Sequence, residues 1–439
     1  MNRDLVLPAG GALIFWAEAF ALLALNRDCP LLLAALLGLA LTLGLAAAVW
    51  PLRRCSPRVL AAAVLLSAAL LLGRLLCFGT VTSDYTDFLL PWTQRLGEAG
   101  GLKGLGQDIG NYNVPYLTFL ALFSYLPGPP LYPIKLLSLL FDLLLAAVLS
   151  QLAGNVKTGQ TRCAVCFVLT LALPTVFLNG AVWGQCDSIY VSLALLGLLL
   201  CLRGRPGWGM AAFGLSFAFK LQAIFLLPIV LPLLLKGKVK WFHLPLFPAA
   251  YCLAVLPGVL AGRSVGSVLL FYLDTASTAG SSLNYNSPSI FSLYYFYRLE
   301  DTGPAAKAGV IAAFAVCLVV GLLFLPGRKR ATERSLLLAS LLLTLALPLL
   351  LPHMHERYFY FVDVLTLCLS CRIPALSPTV LLSQFASLLG YHAYFFMRYL
   401  LPMRNGLAAL CLVLVSVLVL LLRELFSPPE RAAPPRETP

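Results

Sequence analysis

Charge is what this sequence has least of. Asp, Glu, Lys and Arg make up 11% of its 439 residues, with 18 acidic against 31 basic side chains and only four histidines. Soluble domains carry about 25% charged residues, so this chain lacks the surface that would keep it in water. Long apolar runs recur along it, and the mean hydropathy is +0.89; lipid is the solvent that satisfies them. Irregular backbone facing hydrocarbon would strand its hydrogen-bonding groups, so the runs are read as helices.

Other absences narrow the reading. No internal repeat is visible, which counts against the many transporter folds built from two related halves. No small-residue cleavage site follows the N-terminal apolar run, and Glu18 interrupts it, so residues 10–25 are expected to form an anchor span rather than a signal peptide. Cysteine is present, with Cys163/Cys166 and Cys368/Cys371 forming two C-x-x-C pairs. The pairs lie far apart in sequence at expected cytoplasmic helix ends, where neither zinc nor a disulfide is expected.

The expected fold is all-α: a polytopic membrane protein of about 14 transmembrane helices. The spans are placed at 10–25, 31–50, 59–80, 131–152, 163–182, 186–202, 207–220, 221–235, 241–262, 305–325, 335–351, 356–372, 378–396 and 405–424. The net charge of +13 then reports topology rather than nucleic-acid binding. Its basic residues cluster in the short loops 51–58, 154–162, 203–205, 236–240 and 326–334, all on one side, which the positive-inside bias makes cytoplasmic. The segment "NVPYLTFLALFSYLP" (113–127) is too short to span and is read as an interfacial helix. Large outer loops follow at 81–130 and 263–304. The organisation expected is an N-terminal hairpin (1–58), a core (59–372), a C-terminal hairpin (373–426) and a disordered cytoplasmic tail (427–439).

Ionisable residues at membrane depth are costly and therefore informative. "TSDYTDFLLPW" opens the first outer loop with Asp84 and Asp87 three apart. On a helical turn both carboxylates share a face, and a carboxylate at the rim of an apolar cavity suits a general base; a solvated loop start with an N-cap is the bland alternative. In "NGAVWGQCDSIY", Trp183 and Tyr190 read as interfacial anchors and Gln185 and Asp187 as sugar-binding groups or helix caps, the cap reading being preferred for Asp187 or Ser188. "GLSFAFKLQAIFLLP" places Lys220 and Gln222 at a junction of short spans. No acidic neighbour in sequence neutralises the lysine, so it either meets an anionic ligand or snorkels.

"PHMHERYFY" (352–360) is the densest polar segment. With Pro352 opening a helix, His353 and Arg357 fall on one face, and Glu356, Tyr360 and Asp363 on an adjoining one. Arginine suits a phosphate held away from water, because its planar fork donates several bonds and keeps its charge. The spacing His-x-His-Glu is not the zinc pattern His-Glu-x-x-His, so no metal is assigned; a charged cluster capping a span is the structural alternative.

The motifs "SDYTDF", "WGQCDS", "FKLQ" and "HMHER", in that order, resemble those of GT-C membrane glycosyltransferases. The look is nearest to bacterial mannosyltransferases related to those of GPI-anchor synthesis, and to the lumenal glucosyltransferases of lipid-linked N-glycan assembly. The resemblance runs over about residues 60 to 372 in short scattered pieces. It implies transfer of a hexose, mannose or glucose, from a polyprenyl-phosphate donor to a glycan or glycolipid acceptor, with inversion and without cofactor or metal. Asp84 matches the residue that deprotonates the acceptor, with Asp87 as second candidate. His353, His355 and Arg357 would stabilise the leaving lipid phosphate, and Lys220 would add a contact. Gln185, Asp187, Gln222 and Glu356 are left as substrate-binding candidates. Arg357 stands where the glucosyltransferases have lysine. A bacterial cytoplasmic membrane with an outward-facing site is expected, the endoplasmic reticulum being the alternative. A lipid-linked sugar flippase and a polysaccharide polymerase are the rival functions.

Overall fold

In a computed structural model, described for residues 14, 17, 28–154, 159–273, 283–284, 286–293, 302–325 and 331–426, every regular element is helical. The expected span 10–25 (residues 14 and 17 apart), Lys157, Arg328, Lys329, Arg330, much of loop 263–304 and the tail 427–439 lie outside the described residues.

The chain runs α1 (Leu31–Val49), α2 (Pro57–Leu75), α3 (Leu90–Glu98), α4 (Val114–Phe123), α5 (Leu131–Ala153), α6 (Gln160–Ala172) and α7 (Pro174–Phe177). It continues through α8 (Asp187–Leu202), α9 (Pro206–Phe219), α10 (Val230–Leu235), α11 (Leu246–Leu260) and α12 (Val265–Leu269). The last five are α13 (Gly303–Leu323), α14 (Glu333–Leu350), α15 (Tyr360–Arg372), α16 (Ser377–Phe396) and α17 (Met403–Phe426).

Among the described residues seven helices are long and apolar enough to cross a bilayer, or eight if the pair around Pro174, bent by 52°, is one span. Fourteen were expected. The difference has physical causes. Pro228 and Pro232 break the segment 221–235 into two 3₁₀ turns and the short α10, since proline lacks the N–H that continues a helix. Helices α8, α9 and α15 have only 16, 14 and 13 residues, against about 20 for a full span. Segment 113–127 yields the ten-residue α4, as short as expected.

Helices α5 and α14 form the centre: 78% and 83% of their most apolar stretches are buried, against 17% around α11. Helices α8 and α9 pack tightly where Gly197 and Gly209 meet, a methyl group on Gly197 falling 3.0 Å from the Gly209 carbonyl. Small residues permit this approach in lipid, where dispersion contacts replace the hydrophobic effect. The helices are polarised. Arg53 and Arg54 precede α2, Arg203 and Arg205 lie between α8 and α9, and Arg372 ends α15, bonding Glu333 of α14 at 3.1 Å. The opposite ends of α2, α8, α9, α15 and α16 converge on one cavity.

Candidate active site

Each wall of that cavity is built where a helix stops. The chain leaves α2 at Leu75 and reaches Asp84, after which residues 85–89 form a π-type turn. Such a turn is wider than an α-helical one, so Asp84 and Asp87 do not share a face as expected. Asp84 lines the cavity, whereas Asp87 is exposed, accepts a bond from Thr86 at 3.0 Å and is not among the lining residues.

A second wide turn, Leu178–Trp183, and the left-handed Gly184 (φ 74°) aim Trp183 and Gln185 back at Asp84. Trp183 Nε1 and Gln185 Nε2 both donate to Asp84 Oδ2, at 2.9 and 2.5 Å. Oδ1 bonds to no described residue. Tyr394 of α16 accepts the Asp84 backbone N–H at 3.1 Å and stacks on Trp183 at 3.8 Å between ring centres. Trp183 and Tyr190 are thus buried members of the core, not interfacial anchors.

Asp187 is the first residue of α8, and its carboxylate does not cap the helix. It is fully buried and shared: Oδ1 pairs with Lys220, while Oδ2 takes Asn179 Nδ2 at 2.9 Å and faces Arg357 Nε at 3.4 Å. The counter-charge for Lys220, absent from its sequence neighbourhood, comes from 33 residues upstream. An uncompensated buried cation would be costly, and the shared carboxylate relieves two at once.

The segment 351–359 is a string of turns, not the expected helix from Pro352; α15 starts only at Tyr360. His353 has φ 59°, in the left-handed region where a helix cannot continue, so the face-sharing expected of His353 and Arg357 does not arise. His353 is not among the lining residues; His355, Glu356 and Arg357 are. Arg357 reaches Asp84 Oδ2 at 3.8 Å and Glu356 Oε1 at 3.3 Å, and lies 5.2 Å over the Trp183 ring. Burial disfavours its cation, but Asp187 above all holds its pKa well above the ordinary value. Burial likewise pushes the Glu356 carboxyl up, yet His355 and Arg357 outweigh this and hold it below its ordinary range.

The cavity has a volume of about 490 Å³ and brings together Asp84, Gln185, Lys220, Gln222, Glu356 and Arg357. It opens beside an apolar groove of about 480 Å³, formed by residues such as Phe217, Phe247 and Met354, with Leu221, Gln222 and Tyr272 lining both. Among the described residues no three His, Cys, Asp or Glu side chains are placed to hold one metal ion. Sequence reasoning missed Asn179, Tyr391 and Tyr394, and it missed Arg74, Lys135 and Asp142, buried charges in α2 and α5. For the last three the signal was present: an ionisable residue inside an apolar run.

The arrangement offers a fixed carboxylate with one free oxygen, two nearly buried cations and an adjoining apolar channel. A model of glycosyltransferase family 87 matches residues 111–352, more than half of the chain. No curated protein and no solved structure matches it. The match takes in Gln185, Asp187 and Lys220, begins after Asp84 and stops before Arg357. Together with the helical, lipid-adapted architecture, it makes this chain a member of glycosyltransferase family 87, a family of GT-C-like membrane glycosyltransferases.

Proposed function

We propose that the protein transfers a hexose, mannose or glucose, from a polyprenyl-phosphate donor to a hydroxyl of a glycan or glycolipid acceptor, by single displacement with inversion. Asp84 is the general base. The observation that carries this is the state of its carboxylate: Oδ2 is held by Trp183 and Gln185, while Oδ1 bonds to no described residue and can take the acceptor's proton. As that proton moves to Oδ1, the acceptor oxygen attacks the anomeric carbon. The bond to the phosphate breaks on the opposite face, and the phosphate departs with the electron pair. Arg357 and Lys220 neutralise it, and His355 donates a further bond. Arg357 and Lys220 stay charged because Asp187 balances them, and they are preorganised before the reaction begins. Gln222 and Glu356, which line the cavity, bond sugar hydroxyls, and the apolar groove takes the donor's lipid chain.

The reaction is assigned to the extracytoplasmic face of a bacterial cytoplasmic membrane. The support is polarity: the cavity lies at the helix ends opposite those that carry Arg53, Arg54, Arg203, Arg205 and Arg372. The core of residues 59–372 contains every proposed catalytic group.

Mass spectrometry of lipid-linked and envelope glycans from cells with wild-type protein, Asp84→Asn or Arg357→Ala, at matched membrane levels, tests the reading. Loss of one hexose in both variants, with polyprenyl-phosphate hexose accumulating, is the expected result. Unchanged glycans in the Asp84→Asn strain would overturn it.

A further inference from the structure

Helix α5 carries three buried polar side chains that the transfer mechanism does not use: Lys135, Ser138 and Asp142, exposed by 0%, 2% and 0%. At positions i, i+3 and i+7 they lie along one face. Each bonds a different part of the chain, and each of those parts delivers a residue to the cavity.

Lys135 Nζ donates to the carbonyls of Cys77 and Thr80 at 3.0 and 2.7 Å, closing the end of α2 just before Asp84. No carboxylate pairs with it among the described residues. Its stem packs against Gly184, where an added methyl group would sit 3.5 Å from Lys135 Cγ. Ser138 Oγ donates to the Gln185 carbonyl at 2.6 Å, and Ser188 Oγ returns a bond to the Ser138 carbonyl at 3.1 Å. Asp142 lies 3.7 Å from Arg74 of α2 and 3.5 Å from the hydroxyl of Tyr360, three residues after Arg357. The next polar residues of the helix behave otherwise: among the described residues the side chains of Ser150 and Gln151 bond only the carbonyl of Ala147 in their own helix. Polar groups inside an apolar helix are costly, so three in register, all turned towards the site's own segments, are not accounted for by packing alone.

We propose that the Lys135–Ser138–Asp142 face is a template of positioning residues, fixing the 77–84, 183–188 and 357–360 segments relative to one another, so that base, carboxylate orienters and cation meet with the spacing transfer requires. None of the three touches substrate. Their effect on turnover passes through Asp84, Gln185 and Arg357, and to that extent it rests on the transferase reading above.

The test uses the full-length protein in detergent or nanodiscs, with Lys135→Met, Lys135→Arg and Ser138→Ala. Polyprenyl-phosphate mannose and glucose serve as donor probes, and hydrogen exchange is followed by mass spectrometry. Misplacement by about 1 Å can cost 10²-fold in rate. Lys135→Met is therefore expected to lower kcat by about 10- to 100-fold with the donor KM within about twofold, and Lys135→Arg to recover part of the loss. Exchange should quicken in 77–86 for Lys135→Met and in 183–188 for Ser138→Ala, with other segments unchanged. Unaltered exchange in those segments, or an unaltered kcat in Lys135→Met, overturns the proposal. Should Lys135→Met not fold, Ser138→Ala decides by the same criteria. Wild-type protein that transfers neither hexose would count against the transferase reading alone, and the exchange data would still decide the positioning role.

Discussion

Asp84 and Glu356 are two carboxylates of one cavity with different duties. Asp84→Asn keeps the bonds from Trp183 and Gln185 sterically possible but cannot accept a proton, so transfer is expected to fall by about 10² to 10⁴ while membrane levels hold. A radiolabelled-hexose transfer assay checks this. Trp183→Phe should retain an aromatic ring against Tyr394 and lose the indole bond to Asp84, with part of the ring's packing and of its contact with Arg357. A bond to a charged group contributes about 1.5–3 kcal/mol, so a rate loss of about 10- to 100-fold is expected in the same assay. Glu356 bears on stability. Its carboxyl titrates below its unfolded value, so ionised Glu356 stabilises the fold at neutral pH, and that contribution disappears as pH falls through the folded value. Thermal melting of wild-type protein should therefore fall more steeply than that of Glu356→Gln below about pH 4. At this scale the sequence revealed Asp84, Gln185, Lys220 and Arg357, because polar groups at membrane depth stand out against apolar runs. It offered Trp183 only as an interfacial anchor and hid Asn179, Tyr391 and Tyr394, since aromatics and amides are ordinary in such helices. It also hid the partner of Lys220, which depends on α8 and α9 folding back on each other.

Elements matter here chiefly by where they end. The apolar runs announced helices, and that at 186–202 has the expected limits to within one residue, but those at 352–359 and 221–235 were misread. At 352–359 polar residues that looked like part of a span instead form turns beside the cavity, and Pro228 breaks up the second run. The loop 351–359 is held against α16 at Gly390, where an added methyl group would lie 2.7 Å from Glu356 Cβ and 3.0 Å from its carbonyl oxygen. Neither contact is the free end of a flexible side chain, so Gly390→Ala must displace the loop. Overpacking of this kind costs about 1–3 kcal/mol. A lowered melting temperature and a transfer rate reduced beyond what protein level explains are expected; full activity with an unchanged melting curve would mean that α16 does not brace the loop.

For the whole molecule, the division between basic helix ends and the cavity predicts sidedness. A biotin-acceptor tag inserted after Lys103, an exposed residue in the 81–130 segment, should react with an impermeant reagent in intact cells. A tag after Gly204, in the exposed turn between Arg203 and Arg205, should react only after lysis. The reverse pattern would place the chemistry on the cytoplasmic face. Charge bias lets the sequence predict an orientation for this experiment to check, whereas the number of full spans was not readable, because bent and truncated helices have the composition of complete ones.

The shortness of α15 has a further effect. Thirteen residues rise about 20 Å, while a bilayer's hydrocarbon core is about 30 Å thick. With its Arg372 end at one surface, the helix stops about 10 Å short of the other. On the reaction proposed above, the donor's phosphate would enter part of the way into the oily layer without crossing it, and the sugar would meet its acceptor below the water line. Turnover should then depend on acyl-chain length in reconstituted vesicles, because a thicker leaflet moves the headgroup plane away from Arg357.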